Sequence, residues 1–116
     1  MLNRYKPELW YCKRLVDGDE GYENDGIERF SEPVKRKLNY RFMSSETILA
    51  AGGEFQSGVI IARQLRGHPD KYYEGDRVYI GIEPENFDPV SPDANFKISS
   101  VTPMHNVVEI LMEKMV

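Results

Sequence analysis

The chain is poor in the residues that build reactive or cross-linked sites. Among 116 residues it has 1 cysteine, Cys12, and 2 histidines, His68 and His105. A single thiol closes no internal disulfide and builds no thiolate metal cluster, and a free thiol fits a reducing compartment. Zinc asks for about four ligands at constrained spacing, whereas the two histidines fall far apart in turn-like stretches beside or near prolines. Both read as surface turn residues. Long apolar runs are missing too: nothing approaches the roughly 20 residues of a membrane-spanning helix, and residues 1–7 lack the apolar core of a signal peptide. The expectation is a cytosolic chain, or one assembled in the cytosol, with no membrane partner. A net charge of −4 argues against a dedicated nucleic-acid binder, which carries a strong basic patch. It is compatible with a wall past which DNA slides without being held.

Constellations for catalysis are equally scarce. Ser44, Ser45 and Ser57 lie near glycines, but no Gly-x-Ser-x-Gly elbow is present and no histidine is close in sequence. Gly52, Gly53 and Gly58 come without the lysine and hydroxyl residue of a phosphate loop and read instead as a helix stop and a hinge. Asp17, Asp19, Glu23, Asp25 and Glu28 fall at positions 1, 3, 7, 9 and 12 of a calcium-loop frame. The frame then puts Gly21 where an oxygen ligand belongs and Tyr22 where the turn glycine belongs. A solvated acidic loop is the expected reading. No enzyme, cofactor or metal is expected.

What is present is strand signal. Hydrophobic residues make up 41% and charged residues 29%, ordinary for a globular protein, and the length suits a single domain spanning residues 1–116. Residues 8–16 hold Leu9, Trp10, Tyr11, Leu15 and Val16 and suit a strand. Residues 17–33 are a long Gly-rich acidic loop, with a short pairing expected near 27–30. Residues 34–42 give the clearest alternation: Val34, Leu38, Tyr40 and Phe42 on one face, Lys35, Lys37, Asn39 and Arg41 on the other. Arg36 alone breaks the apolar face, and its stem is long enough to snorkel to the rim. Ser44 or Ser45 caps a short expected helix over 46–51, stopped by Gly52 and Gly53.

Strand signal returns over 59–65, 76–82, 94–101 and 107–116. Inward faces are expected for Val78, Ile80 and Ile82, for Phe96 and Ile98, and for Val108, Ile110 and Met112. The proline-broken stretch 85–93 is a second acidic loop. The fold class expected is all-β, a small barrel or sandwich of about six strands with one short helix and long acidic loops.

Two surface features stand out. Lys35, Lys37 and Arg41, with Arg63 and Arg66 on a neighbouring strand, form a basic face. It is either a solvated edge guarded by lysine or a salt-bridged interface with the acidic loops of an adjacent copy. Trp10, Tyr11, Tyr72, Tyr73, Tyr79 and Phe87 are more aromatics than a small core needs, and Tyr72 and Tyr73 suit a core role or an interface role equally well.

Several runs resemble a known family. These are Arg29-Phe30-Ser31-Glu32-Pro33, then Phe42-Met43-Ser44 and Ile48-Leu49-Ala50-Ala51-Gly52-Gly53. Tyr72-Tyr73-Glu74-Gly75-Asp76-Arg77-Val78-Tyr79 and Asn95-Phe96-Lys97-Ile98 follow. From about Phe30 onward the chain resembles the small head–tail connector (head-closure or stopper) proteins of tailed bacteriophages, nearest to the connector-like proteins of Bacillus PBSX-type prophages. The resemblance implies a β-barrel virion protein that sits as a ring below the portal and its adaptor. In that place it would retain packaged DNA and support the tail. Partners implied are portal and adaptor proteins, tail-completion proteins, other copies of itself, and phage DNA passing without sequence-specific binding. It would be found in the host bacterial cytoplasm during assembly and then in the neck of the particle. On that reading Gly52, Gly53, Glu54, Phe55, Gln56 and Gly58 form a closure loop, and Lys35, Lys37, Arg41, Arg63, Arg66, Tyr72 and Tyr73 a subunit interface. Either acidic loop would line the channel. Two alternatives remain: a tail-terminator-like neck protein, or a cellular β-barrel module for peptide or oligonucleotide, with Trp10 and the tyrosines as a stacking platform.

Overall fold

The computed structural model describes residues 8–42 and 59–115. Within them seven strands make one antiparallel sheet, and no helix occurs among the described residues. In chain order these are β1 (Glu8–Cys12), β2 (Val34–Lys37), β3 (Asn39–Phe42), β4 (Val59–Leu65), β5 (Arg77–Tyr79), β6 (Phe96–Pro103) and β7 (Val107–Lys114). The expected short helix over 46–51 lies outside the described residues.

The spatial order is β2-β1-β5-β6-β7-β4-β3. Its two end strands, β2 and β3, are consecutive in the chain and separated by Leu38 alone. A sheet whose first and last strands are covalently joined has to curl until its ends meet, so the architecture is barrel-like. β2 pairs with β1 (Leu9↔Arg36), while β3 pairs with β4 (Tyr40↔Ala62). Residues 34–42 thus act as one bent strand serving both ends of the sheet. Counted that way the strands number six, as the alternation pattern implies.

Leu38 sits at the bend with 0% of its surface exposed. It packs in the main core with Leu9, Ile60, Val78, Ile98, Ile110 and Met112. The longest pairings are β4 with β7 and β6 with β7. β6 carries a bulge between Ile98 and Ser100. The extra residue changes the parity of the strand, so that Phe96 and Ile98 point inward before it and Val101 packs on the core after it.

A second, smaller cluster forms on the opposite face of β1 and β5. Cys12, Phe30 and Tyr79 are buried there, with Trp10, Phe87 and Ala94 packed against them. The two long loops create this cluster by folding over the strands. Phe30 N–H donates to the Pro89 carbonyl at 2.8 Å, joining one loop to the other. Leu15 N–H donates to Arg29 and Ser31 N–H to Lys13, each at 2.8 Å, around an isolated Arg14↔Phe30 bridge. The pairing expected near 27–30 is this bridge. The strand expected over 8–16 ends as a ladder at Cys12, because beyond it the chain turns to clasp its own loop.

Three positions depart from the expected pattern. Val34 is 53% exposed, because it starts an edge strand that only β1 flanks. Ile82 is 46% exposed, because β5 stops at Tyr79 and Gly81 turns the chain at φ +78°. Tyr79, counted among the aromatics in excess of what a small core needs, is fully buried in the second cluster. Beyond β5 the pairing is continued by a side chain: Ile80 N–H donates to Asn95 Oδ1 at 2.9 Å, and Asn95 Nδ2 donates to the Ile80 carbonyl at 2.8 Å.

Leu38→Ala should cost about 3 kcal/mol, the usual loss for a buried leucine, because it opens a cavity where both sheet ends meet. Cys12 reports on this. It has 0% exposure, and burial, reinforced by the Asp93 and Asp76 carboxylates, pushes its thiol up to about 12. Its reaction with a disulfide reagent at mild pH should therefore follow global unfolding and speed up in Leu38→Ala; fast labelling of the native wild type would contradict this burial.

Candidate binding surfaces

The outer face of the bent strand carries the basic residues as the alternation implies. Lys35, Lys37 and Arg41 are exposed, and Arg63 joins them from β4, where it stands opposite Asn39. Some of these charges are already answered within the chain. Arg63 pairs with Glu109 on β7 at 3.1 Å. Lys35 lies 3.7 Å from Glu8 and 5.3 Å from the centre of the Trp10 ring. Arg66, in the turn after β4, donates to the Met104 carbonyl at 3.0 Å. Lys37 and Arg41 have no ion pair among the described residues, so they are the charges this face offers outward.

Arg36 shows how a cation fits among inward positions. Its guanidinium lies 4.0 Å from the centre of the Tyr11 ring and 5.0 Å from that of Tyr72, and donates to the Lys71 carbonyl at 2.9 Å. The stem is covered and the head reaches the rim, as expected of a snorkelling arginine.

The aromatics divide sharply. Tyr11, Tyr72 and Tyr79 are 3%, 5% and 0% exposed, so they are core rather than a stacking platform. Tyr72, an interface candidate on sequence grounds, presents almost no surface, because its ring packs edge-on against Tyr11 at 5.1 Å and under Arg36. Tyr73, one residue on, is 52% exposed and available to a partner. Gly52, Gly53, Glu54, Phe55, Gln56 and Gly58, the closure-loop candidates, lie outside the described residues.

Sequence reading gave no hint of the most connected polar group, Asp76. It is 1% exposed, and its carboxylate accepts three hydrogen bonds. Tyr11 Oη donates to Oδ2, Tyr73 N–H donates to the same oxygen at 2.9 Å, and Arg14 N–H donates to Oδ1 at 2.8 Å. The Asp76 carbonyl also accepts from Ile98 N–H on β6 at 2.9 Å. Burial raises the carboxyl above its ordinary range while its three donors oppose that shift. Tyr11 is pushed up as well, by burial first and then by its bond to Asp76. The only trace in sequence is Gly75-Asp76, a turn ahead of a strand, where Gly75 takes φ +93°.

The first acidic loop is less free than its composition suggests. Lys13 bonds Asp19, Arg29 bridges Asp25 at 2.9 Å and Glu23 at 3.2 Å, and Arg14 and Arg77 approach Glu28 at 3.3 and 3.8 Å. Four carboxylates of the supposed calcium frame, Asp19, Glu23, Asp25 and Glu28, are thus paired with side-chain cations, and no metal-binding group occurs among the described residues. The second loop differs. Asp93 accepts from Tyr79 Oη and from Asn86 N–H, but Glu83, Glu85 and Asp88 have no ion pair among the described residues.

Comparison of the chain with profiles of known families, with curated proteins and with solved structures gives no match.

Two measurements test this polar framework. Asp76→Asn puts a donor where three donors already converge, and should destabilise the fold by about 3 kcal/mol in chemical denaturation; a change below about 0.5 kcal/mol, the range of neutral surface substitutions, would remove its central role. Asp25, held by the Arg29 guanidinium and by Ile27 N–H, is lowered to about 2. Its folded pKa lies below the unfolded one, so its contribution is present above pH ~4 and is lost as pH falls through about 2. Carbon NMR of the carboxyl carbons should show Asp25 still ionised at pH 3, and a midpoint near 4 would mean the pair with Arg29 is not formed.

Proposed function

We propose that this chain is an assembly protein of the head–tail interface of a tailed bacteriophage or prophage particle, forming a ring below the portal and adaptor. In that ring it retains packaged DNA and supports tail attachment. The resemblance of its motifs from Phe30 onward supports this reading. The observation that carries it is the distribution of unanswered charge. Lys37 and Arg41 on the bent strand, and Glu83, Glu85 and Asp88 on the second acidic loop, are left without ion pairs among the described residues. Two different surfaces of opposite sign on one small barrel are what a head-to-tail ring contact requires, each copy presenting one surface to the next. Surface charge of this kind steers encounter and register more than it adds affinity, which suits a subunit that assembles only on its platform.

On this reading the barrel is a rigid frame and Tyr73, 52% exposed, is an anchor for a neighbouring protein. DNA is a passing cargo, repelled by the acidic loop and not read.

The test is genetic and visual. The gene is deleted from its parent phage or prophage, lysis is induced, and the particles are imaged by electron microscopy. DNA-empty heads beside complete free tails are expected, with rescue by the wild-type gene but not by a Lys37→Glu, Arg41→Glu double variant. Full heads with attached tails in the deletion strain would overturn the proposal.

A further inference from the structure

The mouth of the barrel beside the β4 and β6–β7 ends holds a cavity of about 450 Å³. Val101, Val108 and Ile110 line it on the core side, Gln64 and Tyr72 supply its buried polar atoms, and His68, Asp70, Lys71 and Glu74 stand around its more exposed rim. Both polar residues are more than nine-tenths buried, at 7% and 5% exposure. Gln64 Nε2 and Tyr72 Oη are also the two buried side-chain polar atoms without a hydrogen-bond partner among the described residues. Burial pushes the Tyr72 hydroxyl up in pKa and the nearby Arg36 guanidinium opposes that shift, but Arg36 lies over the ring without a well-aligned bond to the hydroxyl.

Two orphaned donors in one apolar hollow are a costly arrangement for a fold that gains nothing from it. Leucine or methionine at position 64 would fill the same place without that cost. The donors are matched by an acceptor oxygen entering from outside. A neutral carbonyl suits them better than a carboxylate, because the lining already carries Asp70 and Glu74 against Lys71 alone, and Arg36 is engaged by the Lys71 carbonyl and two rings. The rim continues the apolar surface outward through Leu65, 65% exposed, and Tyr73, 52% exposed. An occupant therefore has an apolar body, a carbonyl beside it, and more chain running across the rim.

We infer that this cavity is a docking site for a segment of a partner polypeptide. The segment inserts one leucine-sized side chain against Val101, Val108 and Ile110, while its adjacent backbone carbonyl accepts from Gln64 Nε2 and Tyr72 Oη. The chain's own exposed apolar residues on described loops, such as Ile27 and Val90, sit on segments bound down onto their own barrel. None of them projects as a free strand, which favours a different protein over a second copy. The inference stands on the cavity alone and does not rest on a role in a phage neck.

The test titrates N-acetyl-leucine N-methylamide, a leucine flanked by two amide carbonyls, into isotope-labelled protein. Saturable shifts are expected at the Gln64 side-chain amide and at the methyls of Val101, Val108 and Ile110. N-acetyl-glycine N-methylamide, with the same carbonyls and no side chain, should leave them unmoved at equal concentration. Gln64→Leu should raise the melting temperature and weaken the leucine probe by about tenfold, the loss of one well-made hydrogen bond in a buried site. No saturable shift at the Gln64 amide, or an equal response to the glycine probe, would overturn the proposal. So would a lower melting temperature in a folded Gln64→Leu variant, which would mean that ordered water or the fold already satisfies the amide. Shifts at the same groups on raising protein concentration alone would show a second copy as the occupant and likewise overturn it. The wild-type titration decides the matter if the variant does not fold.

Discussion

The buried carboxylate of Asp76 is the constraint on which the rest of this barrel depends. β5 is only three residues long, too short to hold its place by ladder bonds alone, yet it connects β1 to β6 in the sheet. Asp76, immediately before it, gathers Tyr11 of β1, the backbone of Arg14 beyond β1, and the Tyr73 turn onto one side chain. Its own carbonyl fixes the start of β6. A charge this deep is tolerated only because its oxygens are so fully bonded. The same bonds set the register of β1 against β5 and the direction in which the chain leaves β1 to form the long loop.

That loop and its counterpart after β5 then do more than connect strands. By folding over the outer face of β1 and β5 they bury Cys12, Phe30 and Tyr79, giving these two strands apolar cover on both sides. Asn95 supplies the hydrogen bonds that β5 would otherwise lack beyond Tyr79. The region richest in acid and glycine is consequently tied down by its own cations. Side-chain charge without an ion pair among the described residues is found on the bent strand and on the second acidic loop, and a cavity opens at the barrel mouth. In the assembly reading proposed above, these are three separate contacts on one rigid frame.

Much of the strand framework was legible in the sequence because alternation is a local property. Leu38 and Tyr40 against Lys35, Lys37 and Arg41, or Ile110 and Met112 near the C-terminal end, follow directly from period-two patterning. Arg36 was legible as a rim-seeking exception for the same reason. Val34 and Ile82 were misplaced because alternation says which face a residue takes but not whether anything covers it. The burial of Tyr79 is not legible in alternation, because its cover comes from two loops, one of them distant in the chain. Asp76 was invisible: no spacing rule marks an aspartate whose donors stand 3, 62 and 65 residues away.

The sequence by itself determined an all-β fold, the positions of most strands, the basic outer face of residues 34–42 and the lack of an internal disulfide among its residues, since each follows from composition or short-range periodicity. Tertiary structure alone decided that the sheet closes through Leu38, that the acidic loop is spent on Lys13, Arg14, Arg29 and Arg77, and that Tyr72 is core while Tyr73 is surface. It also decided that Gln64 and Tyr72 line one cavity. The physical reason is common to all of these: burial, ion pairing and hydrogen-bond satisfaction depend on which residues distant in the chain arrive at the same place, and pairing registers set that only once the barrel is closed.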